Sequence, residues 1–252
     1  MDERWSLEHG MQVRRCGAGP DVVWIHGLGE WSVTFDPITH ALPGFTHVLP
    51  DLPGYGRSPR TDAPTTLEQL AAHLADWLAP RPPAILVGHS LGGVVATFIA
   101  ERIPCAAIIN VDGNISRGDC TYSATAATYS LDDFIAGAFA AMRAEIYAAG
   151  ATDPALRGYH AALLAASPTI FYRHSLDLLA LSESNTLAPR LAALRCPKLF
   201  IAAVPGGVCE HTRSLLDQHH IRWTAIDRSG HWPFIDQPSA FASAVTTFLG
   251  SL

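Results

Sequence analysis

Residues 83–100 constrain the fold of this chain more than any other stretch. Three apolar residues at 85–87 precede Gly-His-Ser-Leu-Gly at 88–92, and further apolar residues follow at helical spacing. This pattern predicts a buried strand that turns sharply into a buried helix, with glycine relieving the crowding at both ends of the turn. Ser90 would therefore stand above a sheet at a helix N-terminus, where free backbone N–H groups favour developing negative charge.

The same five residues would also fit a serine that merely caps an ordinary helix. The apolar strand before the motif and the apolar helix after it favour the other interpretation. A Gly-x-Ser-x-Gly sequence in a strand-turn-helix context is typical of a serine nucleophile. The sequence therefore predicts that Ser90 carries out nucleophilic chemistry.

Composition limits the class of protein and its partners. With 252 residues, of which 48% are hydrophobic and 16% charged, the chain can bury one full core. The net charge of −6 and the lack of a Lys/Arg cluster argue against a nucleic-acid partner. The N-terminus is charged and the apolar runs are far shorter than the roughly 18 residues of a membrane span, so we expect a cytoplasmic protein with no membrane attachment.

The five cysteines are odd in number and widely scattered, with no spacing typical of metal ligands. We expect reduced thiols, no metal site and no cofactor.

The order of predicted elements indicates an α/β fold. Residues 3–16 predict an edge hairpin, and strands follow at 22–25, 46–52 and 106–111. A capping box of Thr65 with Glu68 predicts the start of one intervening helix. Alternating strands and helices are typical of a parallel sheet with helices on both faces.

This alternation is interrupted from residue 114 to residue 195, where Ala-rich helical patterns occur without a strand. It resumes with a strand at 198–204, a helix near 210–218 and a strand at 221–226. We therefore predict a core formed by residues 1–113 and 196–252, with an all-helical insertion at 114–195.

Four motifs in this order resemble the α/β-hydrolase superfamily. They are His-Gly-Leu-Gly at 26–29, the Gly/Pro-rich turn at 51–58, Gly-His-Ser-Leu-Gly-Gly at 88–93 and Ser-Gly-His-Trp-Pro at 229–233. The resemblance covers essentially the whole chain. It implies a mostly parallel eight-stranded sheet with helices on both faces, and a helical cap inserted after the sixth strand.

A serine hydroxyl needs an adjacent base to act as a nucleophile near neutral pH. The family's chain order of nucleophile, acid and histidine places that base at His231. The glycines around Leu28 would let its N–H point into the site, and together with the N–H of Leu91 it is the predicted oxyanion hole.

The position of the acid departs from the family's commonest pattern. In most relatives an Asp follows the seventh strand, but here Gly206 stands about where it would fall. Asp112, at the end of the sixth predicted strand, occupies the alternative location that some relatives use, and it is the predicted acid. Glu210 is the alternative, and a third possibility is that neither carboxylate serves.

These residues predict a serine hydrolase that works through a covalent acyl-enzyme, specifically a carboxylesterase acting on small or medium, mostly apolar esters or lactones. The motifs do not separate this from a thioesterase, an amidase or a carbon–carbon bond hydrolase, nor from a non-catalytic small-molecule receptor. A small-molecule substrate is the only expected partner, and the oligomeric state is not specified. The predicted substrate-binding side chains are Phe134, Met142, Tyr172 and Trp232, although the cap aromatics would equally suit helix-on-helix packing.

Overall fold

A computed structural model describes residues 3–61 and 63–252, so that residues 1, 2 and 62 of the predicted core lie outside it. Eight strands form one sheet in the order β1-β2-β4-β3-β5-β6-β7-β8. The strands are Glu3–Glu8 (β1), Met11–Gly17 (β2), Asp21–Ile25 (β3), Thr46–Pro50 (β4), Ile85–His89 (β5), Ala107–Val111 (β6), Lys198–Gly206 (β7) and Trp223–Gly230 (β8). β2 pairs antiparallel with β1 and β4, and the other pairs are parallel. The predicted eight-stranded, mostly parallel sheet is confirmed.

Helices connect and cover the strands. They run over Asp36–Thr39 (α1), Leu67–Leu78 (α2), Leu91–Ala100 (α3), Thr121–Ala126 (α4), Leu131–Asp133 (α5), Phe139–Ala149 (α6), Pro154–Leu163 (α7), Pro168–Glu183 (α8), Leu187–Ala193 (α9), Glu210–Gln218 (α10), Pro233–Asp236 (α11) and Pro238–Leu249 (α12). Every residue of β5 and β6 is buried, so both faces of the sheet centre are covered. No helix in residues 3–61 and 63–252 is long and apolar enough to cross a membrane.

Two local predictions were wrong at their boundaries. The capping box of α2 is formed by Thr66 with Gln69, one residue beyond the predicted pair. β8 begins at Trp223 because the N–H of Ile221 donates to the Leu216 carbonyl at the end of α10, which withdraws it from the sheet. The strand then continues beyond the predicted end, through polar residues that no apolar alternation marks.

All elements between β6 and β7 are helical, and they stand where the resemblance implies a cap. They comprise α4 to α9 together with a short 3₁₀ turn at Arg117–Asp119 and a π-helical turn at Phe134–Ala138. The division into core and cap remains a prediction.

One buried junction joins α8 to the loop after β4 through His174. Its Nδ1 accepts from the Tyr55 hydroxyl (2.9 Å), and its Nε2 donates to the Pro64 carbonyl (3.1 Å).

This junction makes the stability of the fold sensitive to acid. Burial lowers the pKa of His174 from 6.5 to about 4, although its hydrogen bond to Pro64 acts in the opposite direction. Below pH 6.5 the unfolded chain therefore binds a proton that the folded chain refuses, and stability is lost as the pH falls towards 4. We expect His174 to account for about 2 kcal/mol of the free energy of unfolding lost between about pH 6.5 and pH 5.

Urea unfolding of the wild type and of His174→Gln across this pH range checks the expectation. The variant loses the two hydrogen bonds of the His174 ring at every pH, so the informative quantity is the slope of stability against pH. This slope is proportional to the number of protons that the chain takes up on unfolding, and that number should be smaller by up to one in the variant. Equal slopes would exclude His174 as a source of the acid sensitivity.

Candidate active site

The backbone at Ser90 turns directly from β5 into α3. Ser90 has φ 54° and ψ −123°, a conformation that is costly for a residue with a side chain and is typical of functional turns. A Cβ at Gly88 would lie 2.1 Å from the Gly92 carbonyl oxygen, and a Cβ at Gly92 would lie 2.1 Å from that of Ile25. Only glycine fits at either position, which explains the Gly-x-Ser-x-Gly pattern.

Asp112 lies directly after β6, fully buried and with a positive φ of 49°. Its Oδ1 accepts hydrogen bonds from the backbone N–H groups of Ala203 (3.0 Å) and Val208 (3.2 Å). Its Oδ2 lies 2.9 Å from Nδ1 of His231, the residue that follows β8. The two backbone donors fix the carboxylate so that one oxygen faces the imidazole.

The alternative acid, Glu210, is not brought to His231. Glu210 is exposed at the first position of α10, and in the described part of the chain it makes no hydrogen bond to that histidine. Glycine in the preceding turn instead makes room for Asp112, because a Cβ at Gly207 would lie 2.1 Å from Oδ2 of Asp112. The acid from the sixth strand thus occupies space that a side chain after the seventh strand would need.

The pair with Asp112 changes the basicity of His231. Burial alone would lower the pKa of His231, but the hydrogen bond and the charge of Asp112 outweigh it and raise the pKa above 6.5. The charges of Glu30 and Asp119 act in the same direction. His231 is therefore a stronger base than a free histidine, with its Nδ1–H held by the carboxylate.

The Ser90 hydroxyl donates to Oδ1 of Asn114 at 3.2 Å, and no hydrogen bond in the described residues joins it to His231. The Asn114 amide is itself oriented, because its Nδ2 donates to the Asp119 carbonyl at 2.9 Å. Sequence reasoning missed Asn114. An Asn three residues beyond a predicted strand carries no signal of its own.

The N–H groups of Leu28 and Leu91 remain the predicted donors to an oxyanion. No hydrogen bond among residues 3–61 and 63–252 uses the N–H of Leu28 or Leu91. The loop that carries Leu28 is fixed by His26, which bonds through Nδ1 to the Gly27 carbonyl (2.9 Å) and accepts at Nε2 from the Leu52 N–H (2.9 Å). Burial lowers the pKa of His26, in agreement with a neutral ring that has one donor and one acceptor.

A cavity of about 290 Å³ opens onto these groups. Ser90, His231, Asn114, Leu28 and Trp232 line it. Side chains from the helical segment between β6 and β7 also line it, among them Tyr122, Leu156, Tyr159 and Leu178.

The prediction that Phe134, Met142 and Tyr172 bind substrate is not supported by their positions, since none of them lines this cavity. Phe134 is fully buried and stacks on Phe171 with ring centroids 5.9 Å apart, and the Tyr172 hydroxyl donates to the Tyr129 carbonyl. These side chains pack one cap helix on another. An apolar stripe signals that packing as strongly as it signals a pocket, so the sequence could not separate the two. Trp232 is the one predicted substrate-binding residue that the structure places at the cavity.

The described ranges contain no group of three or more His, Cys, Asp or Glu side chains placed to hold a metal ion.

Comparison with known proteins places the chain in a family. Residues 22–244 match the Alpha/beta hydrolase family. The chain is 29% identical over 258 residues to a pimeloyl-[acyl-carrier protein] methyl ester esterase of Stenotrophomonas maltophilia (strain K279a), with 96% of this chain and 97% of the relative covered. A relative of the same description from Xylella fastidiosa (strain M12) is 39% identical over 95 residues, which span only 37% of this chain and 36% of the relative.

The fold has solved counterparts as well. A thermophilic esterase from Thermogutta terrifontis superposes with a TM-score of 0.78 at 20% identity, with 100% of this chain and 99% of that chain covered. At this identity the likeness concerns the fold. The family match extends over most of the chain and includes all four motifs that carried the sequence-based resemblance. The chain therefore belongs to the alpha/beta hydrolase family.

Proposed function

We propose that this protein is a serine carboxylesterase that cleaves small or medium, mostly apolar esters or lactones through a covalent acyl-enzyme. At the level of reaction class it is a hydrolase acting on ester bonds, as its family and the esterases among its relatives indicate. The observation that carries the finer proposal is the 2.9 Å contact between the buried Asp112 and His231, which lines the same cavity as Ser90.

The proposed reaction begins with rotation of the Ser90 hydroxyl from Asn114 towards His231. As Ser90 Oγ bonds to the ester carbonyl carbon, Nε2 of His231 takes its proton, while Asp112 holds Nδ1–H and stabilises the imidazolium. The N–H groups of Leu28 and Leu91 receive the oxyanion. His231 then gives the proton to the leaving alkoxide, and water cleaves the acyl-enzyme by the same steps.

The cavity supports small, uncharged substrates. Its volume of about 290 Å³ is at the lower end of the range for ligand pockets, which suits a short acyl group. The described residues that line it include four carboxylates (Glu30, Asp119, Asp153 and Asp236) and no Lys or Arg. An anionic acyl group would lack a cationic partner there, whereas a neutral ester needs none.

The named relatives act, by their description, on a methyl ester of an acyl chain held on a carrier protein. We adopt from this comparison the ester bond as the bond that is cleaved, and the proposed substrate includes no carrier protein.

Covalent labelling tests the proposal directly. A fluorophosphonate should inactivate the protein with a stoichiometry of one label per chain, because it phosphonylates only a serine that a base activates. Peptide mass spectrometry should place the label on Ser90. The unlabelled protein should release 4-nitrophenol from 4-nitrophenyl butyrate over many turnovers. Labelling of Ser90 with release of a single equivalent would indicate a receptor that retains the site, and labelling elsewhere would refute the assignment of the nucleophile.

A further inference from the structure

A second pair of ionisable groups, Glu30 and His89, lies buried beneath the triad and takes no part in the proposed chemistry. Nδ1 of His89 lies 2.9 Å from Oε1 and 3.1 Å from Oε2 of Glu30. The side chain of His89 is 0% exposed and that of Glu30 is 2% exposed. Burial of two such groups is costly unless they are paired, and a paired buried ion contributes little net stability. Stability alone is therefore a weak reason for their presence.

Both ring nitrogens of His89 face acceptors. Nδ1 faces the side chain of Glu30, and Nε2 lies 2.7 Å from the backbone carbonyl oxygen of His231. Burial alone would raise the pKa of Glu30, but the charge and hydrogen bond of His89, with the Gly27 N–H, lower it to about 2. Glu30 is therefore a carboxylate.

The pair lies at the segments that carry Leu28, Ser90 and His231. Oε2 of Glu30 accepts the Gly27 N–H at 2.9 Å, one residue before the oxyanion donor Leu28. His89 is the residue immediately before Ser90. Oε1 of Glu30 accepts the indole N–H of Trp232 at 2.8 Å, so the segment that carries His231 is held at two points, its carbonyl and its neighbour's ring.

We propose that Glu30 and His89 form one positioning unit that fixes the oxyanion loop, the Ser90 turn and the His231 segment relative to one another. The inference rests on the proposed function, since it takes Ser90, His231 and Leu28 as the reacting groups. Those groups lie on three separate loops, and a displacement of about 1 Å between them can cost about 100-fold in rate. Neither Glu30 nor His89 touches the reacting atoms, so both act through the residues they hold.

The test uses Glu30→Gln, His89→Gln and the double variant in the full chain. His47→Gln is the matched control, because His47 is also a fully buried histidine with two hydrogen bonds, to Trp24 and to the Leu42 carbonyl, and it does not line the cavity. Two rates are measured well below each variant's Tm: kcat and KM for 4-nitrophenyl butyrate, and the rate of Ser90 labelling by the fluorophosphonate, which needs no acyl pocket.

We expect each single variant to lose about 10- to 100-fold in kcat and in labelling rate with KM changed by less than about 3-fold. The double variant should be no slower than the slower single variant, because the two residues act as a unit. His47→Gln should lower Tm while leaving both rates within about 2-fold. Rates within about 3-fold of wild type in folded Glu30→Gln and His89→Gln, or effects that multiply in the double variant, would overturn the inference.

If either single variant fails to fold, the double variant supplies the measurement, since it replaces both members of the buried pair together and leaves neither without its partner. Failure of the proposed function looks different. In that case the wild type itself would neither turn over the ester nor be labelled at Ser90.

Discussion

Replacing Ser90 with alanine is expected to lower kcat for 4-nitrophenyl butyrate by a factor on the order of 10⁶. The substitution removes the oxygen that forms the acyl-enzyme, so His231 has no nucleophile to deprotonate and only direct attack by water remains. The fold should tolerate the change, because within residues 3–61 and 63–252 the Ser90 hydroxyl bonds to Asn114 alone, and the backbone turn depends on the flanking glycines. Steady-state kinetics with Tm measured in parallel checks both statements.

Ser123→Ala is the matched control. Ser123 is a buried serine that lines the same cavity from the cap helix α4, and its loss removes a hydroxyl without touching the triad. We expect kcat within about 3-fold of wild type. Should Ser90→Ala retain more than about one hundredth of wild-type kcat at unchanged Tm, acyl transfer through Ser90 would be excluded.

The parts of this site that the sequence predicted are those encoded by local crowding. Gly88 and Gly92 are required by backbone contacts within a few residues of Ser90 or on the adjacent strand, so the motif predicts the turn and the exposed serine together. The sheet was predictable as well, because alternating strands and helices are also a pattern of neighbouring segments. The spacing of apolar residues reports which positions of an element are buried. It did not predict where β8 ends, because the strand continues there through largely exposed residues.

The remaining parts of the site depend on contacts between distant segments. Asn114 meets Ser90, and Glu30 meets Trp232, across sequence separations of 24 and 202 residues. From the sequence alone, Asn114 and Glu30 cannot be told from ordinary loop residues. The choice between Asp112 and Glu210 depended on which carboxylate the sheet brings to His231, and the two N–H groups that hold Asp112 come from β7 and the loop after it. No local pattern contains that information.

Asp112→Asn is expected to lower kcat by about 10⁴-fold with little change in the fold. The argument follows from the hydrogen bonds of the carboxylate. Ala203 and Val208 donate to Oδ1, so the amide oxygen of asparagine must take that position and the amide nitrogen must face Nδ1 of His231. An NH₂ group there requires Nδ1 to accept, which moves the ring proton to Nε2. In that tautomer Nε2 cannot take the proton of Ser90.

The pH dependence of the same variant gives an independent check. In the wild type the pKa of His231 is raised by Asp112, so kcat/KM should fall as the pH drops through a value above 6.5. Without the carboxylate charge, burial dominates and the residual activity should persist to lower pH. Glu210→Gln is the control, and because Glu210 is exposed and apart from His231 we expect it to keep both the rate and the pH profile of the wild type. The reverse result, a near-normal Asp112→Asn beside an inactive Glu210→Gln, would assign the acid to Glu210 and require the loop after β7 to rearrange when substrate binds.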